Sequence, residues 1–259
     1  MLSHLKIHLR VLRTFLGVKK SAPAMGIKSE FGWLEPKSRA HLKMVRYYLR
    51  LQNMNNNRLT KRIFLSDVSK SKFGTVDCWS TEVSNILNSN GLGHYLHIPG
   101  NKEDVINSLT NSLLSSDKLF YMNSCLNYPK MRTYVKINDF SENNSYLYKP
   151  LSFAQKSFLA KFRIGTLPLR LETGRYSRPP LPENERICLQ CSENSIENEI
   201  HLTFYCSKHD TLRETLYNKI GRPPPYMSDH EKLKIMVNDP NIVKIFAQYI
   251  YDCYKNRVI

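Results

Sequence analysis

The chain has 259 residues, a hydrophobic content of 41%, an aromatic content of 11% and a net charge of +16. This length and composition allow a hydrophobic core and argue against general disorder. We find no apolar run of transmembrane length and no secretory signal sequence, so the sequence favours an intracellular protein in a reducing compartment.

The predicted elements are helices, and the first two are basic on their outer faces. An amphipathic helix over residues 2–16 ends at Gly17, and a second helix begins near Pro36, a residue that suits a first helical turn. The apolar stripe of the first helix consists of Leu2, Leu5, Leu9, Leu12 and Leu16. Weaker helical patterns follow at residues 59–70, 77–89, 103–127, 151–163, 197–219 and 240–257. No segment alternates as a strand would, so the sequence predicts a mostly α protein assembled from short helices.

The positive charge is concentrated at the N-terminus. Residues 1–73 contain 16 Lys and Arg against three acidic residues, whereas residues 74–149 contain six against seven. A basic segment of this kind suggests a phosphate-bearing or acidic partner.

Asn-rich patches and Pro-rich breaks divide the chain. The former lie at residues 53–58 and 141–145, and the latter at 175–185 and 221–227. We predict four segments: a basic helical segment at 1–73, a helical connector with flexible loops at 74–149, a metal-binding module at 150–220 and a C-terminal helical segment at 221–259.

The metal-binding prediction comes from the spacing Cys188-x2-Cys191-x9-His201-x4-Cys206. Three thiols and an imidazole are the ligands of a closed tetrahedral zinc site, which leaves no position for a catalytic water. The alternative is an exposed cysteine pair beside a solvated histidine. His209 is a substitute ligand or, as we expect more strongly, a surface helix residue. The predicted fold is therefore a short-helix assembly with a small CCHC zinc-ordered C-terminal module and one structural Zn²⁺.

The remaining cysteines and two of the histidines fit structural or surface roles. Cys78, Cys125 and Cys253 have apolar or aromatic neighbours and are expected to be small core residues. His94 and His97 are expected at the surface. They lie in a glycine-containing stretch that lacks both the GxGxxG and the Walker phosphate-loop patterns. We interpret this stretch as a turn.

Three stretches around the cysteines resemble the zinc-binding region that follows the reverse transcriptase in LINE-type, non-LTR retrotransposon polyproteins. They are "SFLAKFRIGTLPLRLETGRY" (157–176), "PENERICLQC" (182–191) and "ENEIHLTFYC" (197–206). Upstream, "FLGVKKSAPAMGIKSEFGWLEP" (15–36) is similar to the region just after the thumb of the same polyproteins, so residues 1–73 resemble the post-thumb region. The resemblance implies that the four cysteine-cluster ligands match the family's set one for one and that the chain handles RNA or DNA.

The polymerase itself is missing from the sequence. No paired-aspartate motif follows an aromatic residue, and no acidic set suits two catalytic metals, so we expect no enzymatic activity. The first hypothesis is a noncatalytic nucleic-acid-binding remnant or accessory piece of such a reverse transcriptase, in the nucleus or cytoplasm. Its expected partners are the RNA or DNA backbone and a reverse transcriptase supplied separately, and it has no membrane span.

Basic residues of both basic segments are the candidate nucleic-acid contacts. These candidates are Arg10, Arg13, Lys19, Lys20, Arg39, Lys43, Arg46, Arg50, Arg163, Arg170 and Arg175. For the stretch from 162 to 176 the alternative is packing: Leu167, Leu169 and Leu171 are expected to join the core, whereas either interpretation fits the three arginines.

Other functions stay open. Residues 1–29 contain six Lys and Arg and no acidic residue, so they also suit a mitochondrial presequence. A basic scaffold that binds acidic proteins or a membrane surface fits the charge but does not explain the zinc ligands, and a non-functional relic is a further alternative.

Overall fold

The computed structural model describes residues 2–72, 78–96, 101–138, 140 and 145–257. The prediction of a mostly α protein is confirmed, since the described residues contain no strand and only one isolated antiparallel bridge, between Ile187 and Ile196. In chain order the α-helices are α1 (Leu2–Leu16), α2 (Ala24–Phe31), α3 (Pro36–Gln52), α4 (Leu59–Lys72), α5 (Trp79–Ser89), α6 (Lys102–Leu126), α7 (Tyr134–Ile137), α8 (Phe153–Arg163), α9 (Arg170–Thr173), α10 (Asp210–Ile220), α11 (Asp229–Asn238) and α12 (Val243–Lys255).

Short helical turns connect several of these helices. They are the 3-10 turns Gly93–Leu96, Pro129–Met131, Ser145–Tyr148, Glu183–Glu185 and Ser207–His209, and the π-helical turn His201–Tyr205. The helix predicted at 197–219 is therefore interrupted, because a π turn and a 3-10 turn precede α10. His201 lies in the π turn and Cys206 between the two turns, so neither ligand candidate lies in a regular α-helix.

The chain folds into two compact units, one of residues 1–32 with 120–259 and one of residues 33–119. The predicted segments follow different boundaries, because the basic segment 1–73 contributes helices to both units. Long-range packing is the reason: α1 contacts α8, whereas α3 contacts α5. The residues of α6 are divided between the units at Leu119.

The core of the first unit joins the N-terminal helices to the second half of the chain. Leu12 and Leu16 of α1 are buried as their stripe predicts, and Leu9 is half-buried. The side chains of Leu2 and Leu5 lie outside the described part. α1 ends where Gly17 adopts a φ of +61°, and Ser157 of α8 donates a hydrogen bond to the Gly17 carbonyl over 3.0 Å.

The core of the second unit forms between α3, α5 and α6. Val45, Leu87 and Leu109 are completely buried there. Side chains from other helices satisfy both ends of α3. The carboxylate of Asp117 accepts hydrogen bonds from the Glu35 amide and the Ser38 hydroxyl at 2.8 and 3.0 Å.

At the opposite end of α3, Lys61 donates to the carbonyls of Leu51 and Gln52 at 2.9 and 2.7 Å. A carboxylate at the N-terminus and an ammonium group at the C-terminus both interact favourably with the helix dipole and stabilise the helix. These contacts hold α3, which carries four of the predicted basic contacts, in a fixed orientation within its unit.

None of the described helices combines the length and the apolar character that crossing a bilayer requires.

Candidate metal centre

The structure brings the four predicted ligands together. The ligand atoms of Cys188, Cys191, His201 and Cys206 all lie within 4.8 Å of one another. The Cys188 and Cys206 sulfurs are 3.9 Å apart, and the Cys191 sulfur is 3.4 Å from His201 Nε2. A tetrahedral zinc ion with Zn–S of about 2.3 Å and Zn–N of about 2.0 Å separates two sulfur ligands by about 3.8 Å and a sulfur from a nitrogen ligand by about 3.5 Å. The group can therefore hold a metal ion.

A short hairpin presents the first two cysteines. The Cys188 amide donates to the Ser195 carbonyl at 2.8 Å and the Glu197 amide donates to the Arg186 carbonyl at 3.0 Å. Between them the chain turns back through Asn194, a residue that tolerates its positive φ of 49°. The Gln190 amide points at the Cys188 sulfur over 3.4 Å, as an N–H donor to a thiolate would.

The π-helical turn presents the other two ligands. Four residues separate His201 from Cys206, and the Cys206 amide donates to the His201 carbonyl at 2.8 Å. This single wide turn brings both side chains to one side of the chain. No side chain caps the N-terminus of α10, which His209 precedes.

Burial excludes water from most of the cluster. Cys188, His201 and Cys206 are buried and Cys191 is half-buried. Burial raises the pKa of the Cys188 and Cys206 thiols and lowers the pKa of the His201 imidazole. Without a metal, both thiols are therefore protonated at neutral pH, and a bound cation must displace their protons.

Three charged residues around the cluster were not predicted from the sequence. The Glu197 carboxylate is 3.7 Å from the Cys188 sulfur and accepts hydrogen bonds from the Arg257 guanidinium at 2.5 and 3.1 Å. Arg213 donates to the carbonyls of Thr203, Phe204 and Cys206. These contacts fix the ligand-bearing turns. Arg257 follows Cys206 by 51 residues, so only folding brings its guanidinium to the cluster.

His209 departs from its predicted place at the surface. It is 1% exposed, and neither ring nitrogen has a hydrogen-bond partner among the described residues. Burial, together with the charges of Arg257 and Arg213, lowers its pKa to about 4. His209 is therefore a neutral, buried side chain of the module, and it is not part of the group whose ligand atoms converge.

Most of the predicted nucleic-acid contacts lie at the surface. The exposed candidates are Arg10, Lys19, Lys20, Arg39, Lys43, Arg46 and Arg50. Arg13, Arg170 and Arg175 are half-buried. Arg175 lies 3.4 Å from the Glu172 carboxylate, and Arg13 donates to the Ala22 carbonyl over 3.4 Å. These two arginines thus have intramolecular contacts that compete with a phosphate.

Arg163 was wrongly predicted as a nucleic-acid contact. It is fully buried, and its Nε lies 3.0 Å from both carboxylate oxygens of the equally buried Glu30. Its other guanidinium nitrogens donate to Val237, Asn238 and Asn138. A buried guanidinium without such partners would be very unfavourable, so the ion pair explains why an arginine occupies the core.

The structural roles predicted for neighbouring residues are confirmed. Leu167, Leu169 and Leu171 are buried, as are Cys78, Cys125 and Cys253. Burial raises the pKa of the Cys125 and Cys253 thiols to about 12. His94 is exposed, and His97 lies outside the described residues.

Comparison of the chain with protein-family models, curated proteins and solved structures gives no match. The resemblance to the LINE-type polyproteins therefore stays a prediction based on the motifs quoted above.

Proposed function

We propose that the protein binds single-stranded or duplex nucleic acid without catalysis, through exposed basic residues, and that one structural zinc ion orders its cysteine-rich module. The observation that carries this proposal is the row of basic side chains on α3. The metal cluster supports the second half of it.

The basic row occupies one face of α3. Arg39, Lys43, Arg46 and Arg50 follow each other at intervals of three or four residues, and all are exposed. Lys43, Arg46 and Arg50 form no ion pair with any described residue, so their charges are available to a partner. Phosphate groups on a nucleic-acid backbone are the partner that Lys43, Arg46 and Arg50 suit, because three cations follow one another along the helix without an ion pair to a described residue.

Zinc is the proposed metal because of the ligand chemistry. Three thiolates and one imidazole, with the separations of a tetrahedron, are typical of structural zinc sites, whereas magnesium and calcium require oxygen ligands. Four protein ligands complete the coordination, so the ion supports the fold of residues 185–220 and takes no part in a reaction.

In the proposed context, the chain is a remnant or accessory piece of a LINE-type reverse transcriptase that acts in the nucleus or cytoplasm. One observation counts against the mitochondrial presequence. Leu12, Leu16 and Ile27 lie in the core of the first unit, and cleavage of residues 1–29 as a presequence would remove them from that core. A basic scaffold for acidic proteins remains the second candidate, because the α3 row would suit acidic side chains as well.

A filter-binding titration against salt tests the proposal. Each phosphate contact contributes a slope of about −0.7 to −0.9 in log affinity against log salt. Replacing Lys43, Arg46 and Arg50 together by Gln should flatten the slope by about two to three units and weaken all sequences alike. The matched control replaces Lys208, Lys219 and Lys234, which lie on or next to α10 and α11, by Gln.

Two results would overturn the proposal. One is no binding to single-stranded or duplex RNA or DNA at low salt. The other is binding that the triple α3 variant and the control variant reduce equally, since the net charge alone would then account for it. Binding of acidic proteins in place of nucleic acid would support the scaffold.

A further inference from the structure

A small cavity opens in the first unit, about 230 Å³ in volume, between α8, α9, the end of α12 and the chain after α1. Its wall includes Lys19, Phe158, Lys161, Thr166, Tyr176 and Tyr254. This combination of two cations, three aromatic rings and a hydroxyl is not explained by the metal centre or by the α3 row.

Aromatic rings form one part of the wall. The rings of Phe158 and Tyr254 lie 4.3 Å apart between centroids, at 37° to each other. Tyr176 is 63% exposed, and Lys130 holds it in place by donating to its hydroxyl over 2.6 Å. An exposed ring of fixed orientation offers a face on which a planar group can stack.

The two lysines of the cavity wall are available to an anionic ligand. Neither Lys19 nor Lys161 forms an ion pair with a described residue, although Lys161 lies 4.8 Å from the Phe158 ring centroid. Burial and the nearby charge of Lys19 lower the pKa of Lys161, as expected for two ammonium groups with no anion between them. An anion beside both lysines would relieve this repulsion.

The other polar groups of the wall fit an anionic ligand too. Glu172 is the acidic residue of the lining, but its carboxylate is neutralised by Lys130 at 2.5 Å and by Arg175 at 3.4 Å. The buried hydroxyl oxygen of Thr166 has no hydrogen-bond partner among the described residues. Buried hydroxyls normally have a partner, so the hydrogen-bonding capacity of this group is unused.

From these contacts we infer that the cavity binds one nucleotide of a single strand, with its base on the aromatic wall and its phosphate between Lys19 and Lys161. This inference rests on the proposed nucleic-acid binding and names a second, different contact within it. The volume is below the roughly 300 Å³ of ordinary ligand pockets, which favours one base of a longer strand over a complete larger ligand.

The same chemistry distinguishes a single strand from a duplex. A base in a duplex is paired and stacked and would have to leave the helix to enter the cavity, whereas a single strand offers its bases freely. The α3 row, by contrast, contacts phosphates and has no means to make this distinction.

Fluorescence anisotropy of labelled oligouridylate and of a duplex of equal length, at one salt concentration, tests the inference. Lys161→Gln and Tyr176→Leu should each weaken single-strand binding about tenfold and leave duplex binding unchanged. The controls are Lys156→Gln, on the same helix but outside the cavity, and Tyr226→Leu, at a tyrosine outside the cavity that is also exposed. Thermal melting of every variant shows whether the fold is kept.

A competition experiment distinguishes binding of a strand from binding of its components. Uridine 5′-monophosphate should compete with oligouridylate at high concentration, and inorganic phosphate at equal ionic strength should compete at least tenfold less. Tighter binding of the mononucleotide than of the strand would overturn the strand assignment, and equal competition by phosphate would overturn the role of the base.

The failure of this inference differs from that of the proposed function. If both cavity variants bind single strands like the wild type, the cavity is not the site, while nucleic-acid binding through α3 still stands. If no nucleic acid binds, neither stands. If the variants also weaken duplex binding equally, the lysine acts only through its charge and the inference fails.

Discussion

Replacing Arg163 by Met should destabilise the first unit strongly, because it leaves a buried carboxylate without its counter-ion. Arg163 and Glu30 are both completely buried, and Tyr146 donates a further hydrogen bond to the Glu30 carboxylate. Removing one partner of such a pair costs about 3–5 kcal/mol. The Val237 carbonyl and two asparagine oxygens also lose a donor, and an unsatisfied buried acceptor costs about 1–3 kcal/mol. We therefore expect a loss of at least about 4 kcal/mol.

Urea denaturation followed by circular dichroism measures this loss, with zinc kept in excess so that the metal centre does not contribute. Arg222→Met is the matched control. It breaks an arginine–glutamate pair that is more than half exposed, and such pairs contribute about 1 kcal/mol or less. The double variant Glu30→Gln with Arg163→Met should regain part of the stability, since no buried charge remains. A loss below about 1 kcal/mol for Arg163→Met, or one equal to that of the control, would refute the reasoning.

We expect three further outcomes. Gly165→Ala should cost at least about 2 kcal/mol in urea denaturation, because φ is +64° and a Cβ would lie 2.0 Å from the Lys130 carbonyl oxygen. Gly91→Ala, with φ +72° and open space, should cost only about 1 kcal/mol, and equal costs would contradict the clash. Zinc affinity should fall about a hundredfold or more per pH unit on acidification, because the raised pKa of the Cys188 and Cys206 thiols means that at least two protons leave on binding. Competition with a chelator at several pH values measures this dependence. An affinity that does not change with pH would contradict it. Finally, primer-extension assays should detect no template-dependent DNA synthesis, and synthesis that carboxylate substitutions abolish would contradict the noncatalytic proposal.

The features that local sequence patterns determine were predictable. Helical periodicity located α1 and α3, and Leu12 and Leu16 are buried as their spacing indicates. The metal ligands were predictable for a related reason. Three cysteines and one histidine lie within 19 positions, and a single hairpin and one turn are enough to bring their side chains together.

Features that depend on contacts distant in sequence could not be predicted. Arg163 lies in a basic and aromatic stretch, and only its partner Glu30, 133 positions away, reveals that it belongs to the core. His209 follows a ligand cysteine on a polar turn, yet it is buried. The unit boundaries likewise depend on the packing of α1 on α8, which no property of residues 1–73 indicates.

Native mass spectrometry of the purified protein tests the central claim most directly, because it weighs the folded chain together with its metal. We predict one zinc ion per chain for the wild type and none for Cys206→Ser, while replacement of the buried but non-ligating Cys253 by Ser leaves the ion in place. The absence of metal from wild-type protein purified in zinc-containing buffer, or an unchanged zinc content in Cys206→Ser, would contradict the proposed centre.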